Sequence, residues 1–131
     1  KMPSTNILAN LFTTLYNTED RRKDSCIVSP TSKLAVEVLK TLKNGGYIKE
    51  FEHIIDNKGG KIIIQLLAKI EKCGVVTPRF KVKKDEYNYW EQRYLPSFNR
   101  GILLVTTNKG VMSHHEAANK GIGGFLIGYV Y

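Results

Sequence analysis

The chain has 131 residues, 42% of them hydrophobic, and 20 Lys/Arg against 12 Asp/Glu give it a net charge of +8. This length and composition predict one compact domain or two small subdomains sharing a core, and they exclude a large cleft enclosed on all sides. The basic excess favours a polyanionic partner, although a solvated basic surface without a partner stays open. Residues 1–72 hold 12 basic and 8 acidic side chains and residues 73–131 hold 8 and 4, so each half carries +4 and the charge is not confined to a tail.

Cysteine usage and hydropathy bound the compartment. No apolar run approaches the roughly 18 residues of a transmembrane helix, and no charged-then-apolar leader is present. Cys26 and Cys73 stand far apart, so they form neither a redox pair nor a four-ligand zinc site, and we expect reduced core residues. These features predict a soluble, intracellular protein without a membrane partner.

The first half of the chain is predicted to have the element order α-β-α-β-β. Apolar residues at helical spacing predict a helix over residues 5–16, followed by a charged connector over 19–24 and a short strand over 26–28. Ser32 is the expected N-cap of a second helix that ends at the Asn-Gly-Gly sequence of residues 44–46. Two strands over 47–54 and 61–67 follow, joined by a tight hairpin over 56–60.

The second half begins where the periodicity breaks, near residue 72. A strand around Pro78 places Phe80 and Val82 on one face, and the cations Arg79, Lys81 and Lys83 on the other. A helix over 85–94 carries the aromatic stripe of Tyr87, Trp90 and Tyr94, which is more typical of packing than of base stacking. A strand over 102–105, a helix over 113–120 and a last strand over 125–131 complete the chain. The predicted fold is α+β, with two small α+β subdomains, 1–72 and 73–131, packed together.

The run His114-His115-Glu116 suggests a metal site, but neighbouring helical residues point about 100° apart, and zinc-binding helices space their histidines by four. Ser113 and Glu116 instead form a capping box, which would leave both histidines in the first turn facing solvent. Neither a P-loop nor a dinucleotide fingerprint is present, and no nucleophile is paired with a base. We therefore expect no catalysis, no cofactor and no metal, with a small metal-dependent hydrolase using these three residues as the alternative.

The segment Thr106-Thr107-Asn108-Lys109-Gly110 joins a strand to a helix N-terminus. Its hydroxyls, amide, lysine and backbone N–H groups suit phosphate, ribose and base edges. A plain capped loop is equally consistent with these residues.

Several segments of the chain resemble a known protein family. Residues 104–112, the following helix and Gly123-Gly124 resemble the C-terminal RNA-binding motif of the universal small-subunit ribosomal protein eight family, and residues 29–34 resemble its N-terminal core. Residues 72–80, Trp90 and residues 95–97 are similar to the eukaryotic and archaeal branch, with a eukaryotic chain favoured. The resemblance covers essentially the whole chain.

The resemblance implies a non-catalytic structural constituent of the cytosolic small ribosomal subunit. Such a protein binds the central domain of small-subunit rRNA, supports its assembly, contacts neighbouring ribosomal proteins and is not a homo-oligomer. An extra-ribosomal regulatory RNA-binding protein is the alternative within the same fold. The residues implied in rRNA contact are Arg21, Arg22, Thr31, Ser32, Lys33, Arg79, Lys81, Thr106, Thr107, Asn108, Lys109, Gly110, Gly123 and Gly124.

The chain also departs from the family pattern. Ser29 stands where arginine is common in eukaryotic relatives, and Ala118, Asn119 and Phe125 occupy positions that are often basic there. We therefore expect the C-terminal helix to contribute less phosphate contact than is usual.

Overall fold

The computed structural model describes residues 3–29, 32–55, 60–97 and 100–131, without the side chains of residues 3–6 and 78. The chain divides into two compact units, Lys1–Cys73 and Gly74–Tyr131. Within the described ranges, no helix is both long enough and apolar enough to cross a membrane. The helices are α1 (Pro3–Asp20), α2 (Lys33–Asn44), α3 (Tyr87–Tyr94) and α4 (His114–Lys120). The strands are β1 (Ser25–Val28), β2 (Ile48–Ile54), β3 (Lys61–Leu66), β4 (Cys73–Val82), β5 (Ile102–Thr107), β6 (Gly110–Ser113) and β7 (Gly124–Val130).

The first unit packs α1 and α2 against a three-stranded antiparallel sheet in the order β1-β3-β2. Period-2 alternation on β3 buries Ile62 and Ile64, which meet the apolar stripes of the two helices. The helical contribution to this core is Leu8, Leu11, Phe12 and Leu15 from α1, and Ala35, Val38, Leu39 and Leu42 from α2. The Cys73 thiol donates to Phe12 O at 3.4 Å, and burial raises its pKa to about 12.

The second helix begins and ends at the expected signals. Ser32 Oγ accepts from Ala35 N at 3.2 Å, which confirms the predicted N-cap. At the other end, Gly46 has φ +82 and donates to Lys43 O, so the left-handed stop lies at the second glycine of the pair. The hairpin expected at 56–60 falls almost entirely outside the described residues.

The first helix is longer than predicted. It runs to Asp20, through part of the segment expected as a connector, because Thr18 is buried and its hydroxyl donates to Thr14 O at 2.7 Å. Glu19 then accepts the Ile70 amide at 3.3 Å, which ties the end of the helix to the loop after β3. Burial raises the Glu19 pKa, while its backbone hydrogen bonds oppose that shift.

The second unit contains a four-stranded sheet in the order β4-β7-β5-β6, with α3 and α4 packed against it. Its core includes Val82, Val105, Met112 and Leu126, one residue from each strand. Strand β4 runs without a break through Pro78. The α+β class predicted from the sequence is confirmed, and α3 ends before Pro96 as expected, although it begins at Tyr87 rather than residue 85.

The aromatic stripe is a packing element. Trp90 stacks on Phe80 at a ring-centroid distance of 4.9 Å and on Tyr94 at 6.3 Å. Tyr94 stacks in turn on Tyr129 at 5.5 Å, so the ring faces are occupied by one another. The buried Tyr87 donates its hydroxyl to Ile122 O at 2.9 Å, which fixes the segment leading into β7.

Candidate nucleic-acid interface

The segment 106–110 is the tip of a β-hairpin. Thr106 and Thr107 are the last residues of β5, and β6 begins at Gly110, with Thr106 opposite Val111 and Thr107 opposite Gly110. The expectation of a loop running directly into a helix was therefore wrong, because a four-residue strand lies between them. Among the described turn residues only Gly110 has a positive φ, +104, which is typical of a type I turn closed by a glycine bulge.

Thr107 holds the turn together. Its hydroxyl donates to Gly110 O at 2.9 Å and accepts from Lys109 N at 3.0 Å. A hydroxyl has one proton and two lone pairs, so only one acceptor position remains for a ligand. Thr107 can therefore accept a hydrogen bond from RNA, but it cannot donate one without opening the turn.

Three other side chains at the tip are available for ligands. Within the described part of the chain, the Thr106 hydroxyl, the Asn108 amide and the Lys109 ammonium have no hydrogen-bond or ion-pair partner. Asn108 and Lys109 are exposed, and Thr106 is half-buried. These side chains offer one hydroxyl, one amide and one charge on a turn whose shape is fixed by Thr107 and Gly110.

Gly123, just before β7, and Gly124, its first residue, allow close packing beside this hairpin. A Cβ on Gly124 would lie 2.3 Å from Thr106 O, and a Cβ on Gly123 would lie 2.4 Å from Val82 O. Real Cβ atoms do not approach that closely, so the two strands flanking β7 can pack against its start only because these residues are glycine. Packing within the protein therefore explains both glycines, and their predicted contact with rRNA stays a prediction.

Helix α4 follows the hairpin directly. Ser113 Oγ accepts from Glu116 N at 3.2 Å, as the capping box requires. The Glu116 carboxylate lies 3.3 Å from Lys120 Nζ, one turn along the helix, instead of returning to the Ser113 amide. The helix ends at Gly121, whose φ is +66.

The prediction that His114 faces solvent was wrong. Its side chain is 2% exposed, Nδ1 accepts from Leu103 N at 3.0 Å, and Nε2 lies 2.5 Å from Glu91 Oε2. Since a backbone N–H can only donate, Nδ1 carries no proton, and the neutral ring donates from Nε2 to Glu91. Burial lowers the His114 pKa, against the opposing effect of Glu91. His115 is exposed, as predicted.

The same contacts bear on the metal alternative. The candidate ligand atoms of Glu91, His114 and His115 lie within 4.8 Å of one another. The two neighbouring histidines are therefore close enough to bind one ion, although successive helical residues point in different directions. A metal on His114 Nε2 would, however, require the proton to move to Nδ1, where it would face the Leu103 N–H. The backbone therefore disfavours this cluster as a metal centre.

The remaining predicted contact residues lie elsewhere. Arg21, Arg22 and Lys33 are exposed in the first unit, the Ser32 hydroxyl caps α2, and Thr31 is outside the described residues. In the second unit Lys81 is exposed, whereas Arg79 is half-buried, and its Nη2 is buried without a partner in the described part of the chain. Arg79 and Lys81 therefore differ in exposure, although the strand pattern places both on one face.

Comparison with known proteins identifies the chain. The sequence model of the family described as "Ribosomal protein S8" matches residues 6–131. The small ribosomal subunit proteins uS8 of Cenarchaeum symbiosum (strain A) and Nitrosopumilus maritimus (strain SCM1) are each 72% identical over 130 residues, covering 99% of this chain and all of the relative. The uS8 protein of Sulfolobus acidocaldarius is 46% identical over 136 residues, again with 99% and 100% coverage.

Together with the two-unit α+β fold, these matches define a ribosomal protein of the small subunit. Within that class the chain belongs to the ribosomal protein S8 family, in its archaeal branch. The resemblance inferred from the sequence is confirmed, and the preference for a eukaryotic chain was wrong.

Proposed function

We propose that this ribosomal protein binds the central domain of small-subunit rRNA, in the cytoplasm and as a single copy, and supports the folding of that RNA during subunit assembly without catalysing a reaction. The β5–β6 hairpin is the main contact. The proposal is supported by two features that occur together at the hairpin tip. The turn is held by hydrogen bonds of Thr107, and polar groups of Thr106, Asn108 and Lys109 have no partner in the described chain.

Such a tip suits irregular RNA. An amide and a hydroxyl can pair with 2′-hydroxyl groups and with the base edges that loops and bulges expose, and the lysine can neutralise a phosphate. Because the turn is already ordered, little conformational entropy is lost on binding. The net charge of +8 adds long-range attraction to any RNA, so specificity depends on the hairpin.

The test is the affinity for a central-domain rRNA fragment and for an unrelated RNA of equal length, across a salt series. We expect tighter binding of the central-domain fragment, with an affinity that falls as salt rises, by roughly 0.7–0.9 counterions released per neutralised phosphate. Equal affinity for the two RNAs, or an affinity that stays flat with salt, would contradict the proposal.

A matched pair of lysine variants sharpens the test. Lys109→Ala removes an unpaired cation from the hairpin and should reduce the salt slope by about one. Lys43→Ala removes an exposed lysine of the first unit that is paired with Glu50 at 2.8 Å, and should leave the slope unchanged. Equal slopes for the two variants would remove Lys109 from the interface.

A further inference from the structure

The outer face of the second sheet carries an exposed ring beside the hairpin. Phe125 is the second residue of β7, lies directly opposite Thr106 on β5, and is 45% exposed. The next residue, Leu126, is fully buried in the core, so Phe125 points to the opposite face of the sheet. Thr106 lies opposite Val111 in turn, which forms one row across three strands.

A cation extends this row. Gly123 lies beside Val82 and Lys83, and Tyr129 lies beside Gly74, so β7 runs antiparallel to β4. Counting two residues along each strand from the Gly123 contact leads to Phe80 and Lys81 on β4 beside Phe125, and Phe80 packs against the core. Lys81 is exposed while its neighbour Val82 is in the core, so Lys81 shares the outer face.

The residues just before Phe125 leave the ring uncovered on that side. The preceding position on the same face is Gly123, which has no side chain, and Gly124 between them has none either. Neighbouring strands are about 4.8 Å apart, so the ring lies within one strand spacing of the unpartnered Thr106 hydroxyl. The ring, hydroxyl and cation of Phe125, Thr106 and Lys81 therefore form one strip, about two strand spacings wide.

We propose that this strip binds an unpaired rRNA nucleotide, with its base stacked on Phe125, its ribose or base edge at the Thr106 hydroxyl, and an adjacent phosphate at Lys81. The proposal rests on the proposed function and names the ligand of its interface. An RNA base is favoured over an apolar protein surface because a free hydroxyl and a cation flank the ring, and both would need a polar partner.

Phe125 is also one of the residues at which the chain departs from the family pattern. From the sequence alone, Phe125 stands at a position expected to be often basic in eukaryotic members of the family, which predicted less phosphate contact. In the structure the ring offers a π-face where a charge would have offered phosphate attraction. The contribution of this position to RNA binding should therefore depend little on salt, unlike that of Lys81.

The test compares Phe125→Leu and Phe125→Trp in binding to the central-domain rRNA fragment. Leucine keeps an apolar side chain but loses the ring, and stacking of one base predicts a loss of affinity of roughly 5- to 150-fold. Tryptophan keeps a π-face and should bind within a few-fold of the wild type. Because the ring is half-exposed, thermal unfolding of both variants should stay near that of the wild type, which separates a binding effect from misfolding.

Ultraviolet crosslinking of the wild-type complex, read by mass spectrometry, supplies the second readout. A crosslinked nucleotide on the peptide containing Phe125, absent in Phe125→Leu, supports the proposal. Wild-type affinity in Phe125→Leu, or an equal loss in both variants, overturns it. It is also overturned if Phe125→Leu binds rRNA normally but fails to assemble with subunit proteins, which would indicate a protein neighbour. A wild-type protein that does not prefer the central-domain fragment refutes the proposed function itself, and the Phe125 variants are then not needed to decide.

Discussion

The imidazole ring of His114 accepts a hydrogen bond from the backbone of Leu103 just beyond the point where β6 stops pairing with β5. Strand β6 stops pairing with β5 at Leu104 opposite Ser113, and the Leu103 N–H donates to His114 Nδ1 at 3.0 Å. The first residue of α4 thus supplies the acceptor that a further strand residue would have supplied. Glu91 Oε2, 2.5 Å from Nε2, holds the ring from its other side and links α3 to the start of α4.

Replacing His114 tests this bridge. His114→Ala leaves the buried Leu103 N–H without an acceptor and Glu91 without its donor, so we expect the free energy of unfolding to fall by about 1–3 kcal/mol. His114→Asn can place its amide oxygen near the Nδ1 position and should recover part of that loss. Urea unfolding at pH 7.5 measures both variants. Equal destabilisation by alanine and asparagine would show that ring packing, rather than the hydrogen bond, determines the cost.

The same histidine predicts a pH dependence of stability. Burial lowers the folded-state pKa of His114 below its ordinary value of 6.5, while Glu91 opposes that shift and His115 adds to it. Below pH 6.5 the unfolded chain takes up a proton that the folded state resists, so the unfolded state gains stability as pH falls. The contribution of His114 is fully present above pH 6.5 and is lost as the pH falls toward the folded-state pKa.

We therefore expect the stability difference between wild type and His114→Asn to shrink between pH 7 and pH 5.5, by at most about 1.4 kcal/mol per pH unit. Urea unfolding of both proteins across this range gives the difference directly, and groups common to both proteins cancel. A difference that stays constant with pH would contradict a neutral, buried His114.

Gly124 predicts a coupling between strand packing and the hairpin. A Cβ at this position would meet Thr106 O at 2.3 Å, so Gly124→Ala must push β7 away from β5. Overpacking of this kind costs about 1–3 kcal/mol of stability, and it should also weaken binding to the rRNA fragment because Thr106 moves. Gly121→Asn is the control, since φ there is +66, asparagine tolerates that conformation, and no atom lies within 4 Å. If Gly124→Ala bound and unfolded like Gly121→Asn, close strand packing would not explain the glycine.

Local signals in the sequence predicted most of the fold. The Ser32 cap and the glycines after Asn44 delimit α2, and apolar runs mark strands such as β3 and β5. Strand β6 was missed because four residues are too few to show alternation, and because Thr107-Asn108-Lys109-Gly110 lacks the two central positive-φ residues of the shortest hairpins.

The candidate site was predictable in composition but not in arrangement. The segment 106–110 stood out by its polar residues, whereas the role of Thr107 depends on a hydrogen bond that only the turn creates. His114 could not be assigned from local pattern, since its partners Leu103 and Glu91 are 11 and 23 residues away. Phe125 likewise gains its significance only from the pairing with Thr106.

Thr107 and Asn108 are expected to have different roles at the hairpin tip. Thr107→Val removes the hydroxyl that donates to Gly110 O and accepts from Lys109 N, so it should lower stability and weaken RNA binding together. Thr107→Ser keeps a hydroxyl and should retain both stability and binding. Asn108→Ala removes an exposed amide with no partner in the described chain. It should therefore leave unfolding unchanged while weakening the complex with the central-domain fragment by about 1–3 kcal/mol, with little effect on unrelated RNA. Urea unfolding and binding to both RNAs, measured on the three variants, separate these roles. If Asn108→Ala weakened binding to both RNAs equally, the amide would not read rRNA sequence or shape.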